Sequence, residues 1–302
     1  MRVPDSMIVA SITARLSSAS ERLFRTQEKV SSGLAFSRPS QNPSGAVRAA
    51  ALRASIAEVT QYLANADSAA ARFRLTESSV QSISQLLTEA RTAGLSMTDA
   101  SADGNAALAE QVHQIAAQIV RNANSSNEGS YLFSGYKVLT PPLIANGAGI
   151  PPYLYQGDRG DVQVQIGRGV TITGNIDAAE LLNLNGAADP GHDDVLEILR
   201  KLEAALRAGD HDGVAAALTG LERDSQRVLG LRGQLGARVQ HVEMAKKQLD
   251  YVKLTFQDLL SQVQDADLTQ AVIDLRSQEL TYQAAAAAAF ALHRASLLDY
   301  LR

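Results

Sequence analysis

The sequence predicts a mainly α protein: a long antiparallel coiled-coil or helical bundle formed by the N- and C-terminal segments, with a small β-rich inserted domain. Three observations carry this. Apolar and small residues recur in alternating steps of three and four at both ends of the 302-residue chain. The period changes to two only within residues 153–173, behind a stretch rich in Pro and Gly. Aromatic residues make up 5% of the chain, with no Trp, while Ala abounds. That composition fills thin seams between helices more readily than a thick core.

The first seam runs through Val9, Ile12, Leu16, Ala19, Leu23, Thr26 and Val30. A loop over residues 33–44 ends it, and Asn42 followed by Pro43 suits an N-cap and first helical residue. The next helix carries Ile56, Val59, Leu63, Ala66, Ala70, Phe73, Val80, Ile83 and Leu87 on one face, and the polar residues 101–105 turn it. Its antiparallel neighbour holds Leu108, Val112, Ile115 and Ile119 and stops in the Asn/Ser cluster 122–127. Pro and Gly at 141, 142, 147, 149, 151 and 152 mark a boundary, after which 153–156, 161–166 and 170–173 read as short strands.

Helical pattern resumes near Asp193, breaks at 209–213, and continues to the end. One seam there passes through Val242, Leu249, Phe256 and Val263. The last holds Leu268, Ala271, Leu275, Gln278, Tyr282, Ala285, Ala289 and Leu292, continuing to Leu297, Leu298 and Leu301. Three domains are expected: a terminal helical domain of 1–37 with 266–302, a long-helix bundle of 38–136 with 192–265, and a β-rich outer insert of 137–191. The apolar burial offered by the first seam falls short of the cost of ordering its backbone. Both ends are therefore expected to become fully ordered only against copies or relatives of themselves, through Val9, Ile12, Leu16, Leu23 and Val30 on one helix and Leu268, Leu275, Tyr282, Leu292, Leu297, Leu298 and Leu301 on the other.

Charge and composition narrow the function classes. With 28 Lys+Arg against 32 Asp+Glu the net charge is −4, and no basic face offers an electrostatic footprint for nucleic acid. No apolar run approaches a membrane span. Zero cysteines exclude disulfides and thiolate chemistry. Residues 1–11 hold no apolar stretch of signal-peptide length, so any export is expected to use another route.

Candidate chemistry dissolves on inspection. The histidines at 113, 192, 211, 241 and 293 lack metal-ligand spacing. His192-Asp193-Asp194 reads as a solvated loop whose acids face a helix N-terminus. Gly230-Leu-Arg-Gly-Gln-Leu-Gly236 lacks the strand and the Lys-Ser/Thr ending of a phosphate loop, and reads instead as small residues for close helix packing. Asp267 reads as a helix cap, and the alanine run 284–289 as a tightly packed helix. No nucleophile, base and oxyanion donors come together, and no cofactor or metal is expected.

Several stretches, in order, resemble the flagellin-like family of the bacterial flagellum. Gly33-Leu-Ala-Phe-Ser-Arg-Pro39-Ser-Gln-Asn42-Pro43 is similar to that family's loop after the first helix, with Gln41 and Asn42 in place of its usual acidic pair. Tyr131-Leu-Phe133-Ser-Gly135 resembles the signature of the hook–filament junction branch, and differs from what filament flagellins carry at that point. Arg232-Gly-Gln-Leu235-Gly236 and the closing Tyr282-Gln-Ala match the C-terminal half. The resemblance implies a structural, non-enzymatic protein whose terminal helices form an inner tube, with an insert facing outward. Its implied partners are copies of itself, a neighbouring hook-associated protein on the hook side, flagellin on the filament side and an export chaperone at the C-terminal helix. It implies an extracellular place in the flagellum, reached through the flagellar type III channel. A filament flagellin and a cytosolic coiled-coil binding module are the competing readings; the Tyr131 stretch argues against the first and the β insert against the second.

Overall fold

The computed structural model describes residues 5–97, 102–147 and 152–300. The chain opens with α1 (Asp5–Ser32), α2 (Pro43–Leu95) and α3 (Ala102–Ala123). Six short strands follow: β1 (Ser126–Asn127), β2 (Ser130–Tyr131), β3 (Leu143–Ala145), β4 (Tyr153–Tyr155), β5 (Gln163–Gly167) and β6 (Val170–Thr173). They pair consecutively as three antiparallel hairpins. Then come α4 (Ala178–Leu182), a 3-10 turn (Leu184–Gly186), α5 (Val195–Ala208), α6 (His211–Gln264) and α7 (Leu268–Tyr300). The mainly helical architecture and the strands near 153–155, 163–167 and 170–173 agree with the sequence pattern. Three features were not legible there: the β1–β2 hairpin and β3, whose strands are two or three residues long, and α4, a single turn capped by the Asp177 carboxylate on Glu180 N at 2.6 Å.

The chain forms two compact units, Met1–Glu58 with Val252–Arg302 and Val59–Tyr251. In the second unit α2 and α6 run antiparallel, with Asp67 paired to Lys246 at 2.7 Å, Arg74 to Glu243 at 2.8 Å and Arg91 to Glu222. Its main core joins Val80, Ile83 and Leu87 of α2, Val112 and Ile119 of α3, Leu199, Leu202 and Leu206 of α5, and Leu221 and Val228 of α6. A second cluster packs Ala66, Ala70 and Phe73 with Leu235 and Val242, and the β5–β6 hairpin closes it with Ile166 and Ile172.

The segment 137–191, expected as a β-rich insert, shares its core with the long helices. Leu143, Leu181 and Leu182 belong to the main core, and Ile166, Ile172 and Ile176 to the second. Close helix approach also falls elsewhere than Gly230, Gly233 and Gly236, where an added Cβ would meet open space. It occurs at Gly94, where a Cβ would lie 2.8 Å from Leu218, and at Gly220, where it would lie 3.0 Å from Ile198.

Candidate assembly interface

In the first unit α1 packs against α7. Gly33, at φ +71°, ends α1 in the left-handed region that favours glycine, and its N–H donates to Lys29 O at 2.9 Å. Leu34 then pairs antiparallel with Asp265: Ala35 N donates to Gln264 O at 2.7 Å, and Ala266 N to Gly33 O at 2.9 Å. This clamp puts the end of α1 beside the start of α7, so the two terminal helices run antiparallel. Asp267 caps α7, accepting from Gln270 N at 3.1 Å. Arg53 of α2 closes the corner by donating to Gln264 Oε1 at 2.5 Å.

The loop between α1 and α2 is held from within. Asn42 caps α2, its Oδ1 accepting from Gly45 N at 2.9 Å. Gln41 Oε1 accepts from Ser37 N at 2.9 Å and Arg38 N at 3.3 Å, a task a neutral amide performs as well as an acid would. Phe36 is buried, and a Cβ at Gly45 would lie 3.0 Å from its ring. Pro39 and Pro43 are exposed.

The paired helices divide their apolar residues between two faces. Ala19 and Ala271 are buried; Ile12, Leu16, Leu23, Thr26 and Val30 on α1, and Leu275, Gln278, Tyr282, Ala285 and Ala289 on α7, are half-buried. A second set remains in solvent: Phe24 (74% exposed), Val272, Ile273, Leu280 (67%) and Phe290 (73%), with Leu268. Heptad reading finds the first set because it is periodic. It finds Leu268 of the second set but misses the others, whose signal is only that large apolar residues stand where a solvated helix would carry charge. The side chains of Val9, Leu292, Leu297 and Leu298, and the whole of Leu301, lie outside the described residues.

The signature segment belongs to the second unit and is structural there. Leu132, Phe133 and Ser134 are buried. The Arg72 guanidinium, its pKa lowered by burial, donates to Tyr131 O at 3.1 Å and Leu132 O at 3.3 Å. Asn124 grips β3 from both sides, donating to Leu143 O and accepting from Leu143 N, each at 2.9 Å. Gly135 sits at φ +66° against Asp158, where any Cβ would overlap the carboxylate. That carboxylate accepts from Tyr136 N at 2.7 Å and Gly160 N at 3.0 Å.

Comparison with known proteins shows what carries this arrangement. The bacterial flagellin N-terminal helical region matches residues 5–138. Flagellar hook-associated protein 3 of Salmonella typhimurium is 26% identical over 262 residues, which cover 79% of this chain and 80% of that protein. The chain resembles flagellar hook-associated protein 3. Its Escherichia coli counterpart is 24% identical over 80% of this chain and 81% of its own length. Two solved structures share the fold: FlgL of Bacillus cereus (TM-score 0.59, 20% identity, 70% of this chain and 99% of that one) and the flagellar junction protein FlgL of Legionella pneumophila (0.58, 13%, 74% and 100%). The resemblance to flagellin-like, hook-associated proteins read from the motifs is borne out.

The C-terminal motif also takes a packing role. Leu235 is fully buried in the second cluster, between the half-exposed Arg232 and Gly236, and nearby Arg238 donates to Asn175 O at 3.0 Å. The acids that tempted a metal assignment are spent locally. Asp193 accepts from Lys201 at 2.5 Å, and Asp194 caps α5 through Glu197 N at 2.7 Å. His192 lies 3.6 Å from the fully buried Asp224, which also contacts Arg227. Burial pushes the Asp224 carboxyl above its usual range, against the opposing pull of Arg227 and His192. Among the described residues, no group of three or more His, Cys, Asp or Glu could hold a metal ion.

Proposed function

We propose that the chain is a structural adaptor of the bacterial flagellum that joins the hook, through another hook-associated protein, to the flagellin filament by helical self-assembly of its terminal segments. One observation carries this reading: the α1–α7 pair uses one set of apolar residues internally and holds a second in solvent, including Phe24, Leu280 and Phe290. Each large side chain of that second set gains about 1.5–3 kcal/mol on full burial, which a further molecule would supply. Ile12, Leu16, Leu23, Val30, Leu275 and Tyr282 build the pair, and the solvent-facing set joins one pair to the next. Residues 1–37 with 266–302 serve as the assembly domain, 38–136 with 192–265 as the long-helix bundle, and 137–191 as a β-rich insert. The protein performs no catalysis and needs no cofactor. Its partners are its own copies, a hook-associated protein on one side and flagellin on the other. It travels through the flagellar type III channel, accompanied by a chaperone on α7.

Immunogold labelling of intact flagella tests this directly. Label confined to the hook–filament boundary is the expected result. Label along the whole filament would point to a filament flagellin instead, and label confined to the cytosol would end the flagellar reading.

A further inference from the structure

Two Asn-Gly steps occur in the sequence, Asn146-Gly147 and Asn185-Gly186, and the structure treats them differently. Asn146 follows β3 at the tip of the β3–β4 hairpin. Its N–H donates to Pro152 O at 2.9 Å, which carries the ladder one step past the Ala145–Tyr153 pair. Gly147 follows at φ +60°, exposed, where an added Cβ would meet nothing within 4 Å. Its N–H makes no hydrogen bond among the described residues. Gly186 is closed in instead. Its N–H donates to Asn183 O at 3.1 Å inside the 3-10 turn, and Asn183, fully buried, binds that turn into its surroundings through Ala188 N at 3.0 Å and Asp189 N at 2.7 Å.

We propose that Asn146 is a site of spontaneous deamidation in the folded protein and that Asn185 is protected. The Gly147 backbone nitrogen attacks Cγ of Asn146. A bond forms between that nitrogen and Cγ, the bond from Cγ to Nδ2 breaks, and the amide nitrogen leaves as ammonia with the proton given up by Gly147. The resulting cyclic imide takes up one water, which opens it at either carbonyl to give aspartate or isoaspartate. Nothing is oxidised or reduced, and water is the only co-reactant. Attack requires the Gly147 peptide to turn toward the side chain, a motion that an exposed, uncrowded glycine permits and that the 3-10 hydrogen bond at Gly186 forbids. Each event adds one negative charge to the hairpin tip of a protein whose net charge is −4. In the isoaspartate product it also lengthens the backbone there.

The full-length protein, incubated in mildly alkaline buffer, is sampled over time by peptide mapping with mass spectrometry, and isoaspartate is read with an isoaspartyl methyltransferase. The peptide containing Asn146 is expected to gain the deamidation mass and methyl-acceptor activity, while the one containing Asn185 stays intact. In urea both are expected to react at comparable rates, which would place the difference in the fold. Gly147→Ala is expected to slow the reaction at Asn146 roughly tenfold, since a Cβ restricts the turning motion. Equal rates at the two sites in the native protein, or a faster reaction at Asn185, would overturn the proposal.

Discussion

At the scale of single residues, the signature segment earns its place by satisfying buried backbone groups. β2 and β3 are too short to hold themselves, so side chains supply what a longer ladder would: Arg72 covers the carbonyls of Tyr131 and Leu132, and Asn124 closes both polar groups of Leu143. Removing Asn124 orphans a buried N–H and a buried C=O together. Asn124→Ala is expected to destabilise the second unit by about 2–4 kcal/mol, and Phe133→Ala by about 3–5 kcal/mol through the cavity it leaves. Urea unfolding followed by circular dichroism checks both, and a loss below about 1 kcal/mol for either, near the precision of such data, would contradict the packing described. Gly135→Ala combines a positive φ with overlap on Asp158 and should cost more than an ordinary glycine substitution in a helix.

At the scale of elements, the two faces of α7 separate folding from assembly. Leu275→Asp places a charge in the half-buried seam against α1 and should loosen the pair itself, seen as faster hydrogen exchange in residues 12–30. Leu280→Asp lies on the solvent side and should leave that exchange unchanged while blocking polymer formation. Equal effects of the two variants on exchange would remove the division into faces. A second test concerns the segment from α4 to α6, where burial raises the carboxyl pKa of Asp177, Glu180, Asp194 and Asp224. A carboxyl raised in the folded state contributes stability that is fully present below its ordinary range and is lost as pH rises through the folded value. Wild type should therefore gain on Asp224→Asn as the buffer moves from about pH 7 to about pH 5, a trend that differential scanning calorimetry reads as a rise in the wild-type Tm minus the variant Tm, signed. A fall in that signed difference would contradict it. These elements also show what a sequence discloses. The long helices, the Asn42 and Asp267 caps and the three later strands follow from periodicity and turn chemistry, which are local. The roles of Arg72, Asn124 and Phe24 do not, because they depend on partners 19 or more residues away or on a face that none of the described residues covers.

At the scale of the whole molecule, the outward segment decides how far this protein can be trimmed. Periodicity alone makes 137–191 look detachable, since no heptad seam crosses it. The packing assigns it a different load: Leu143, Leu181 and Leu182 complete the main core, while Ile166 and Ile172 cover Phe73 and Leu235 in the second cluster. Those five large apolar side chains would leave with the segment, together with Ile176 and Leu184, and each is worth about 1.5–3 kcal/mol of burial before the newly exposed helix surface is counted. Against a domain stability of about 5–15 kcal/mol, that loss is enough to unfold the second unit. Deletion of 137–191 with a short linker is thus expected to yield a protein whose residues 59–136 exchange amide hydrogens as an unfolded segment does. Removing only the tip, residues 146–152, leaves every one of those five side chains in place and is expected to preserve the protected amides of α2 and α3. Protection in α2 that survives the full deletion would show that the long helices hold without this cover, and the segment would then be the detachable graft that its period suggests.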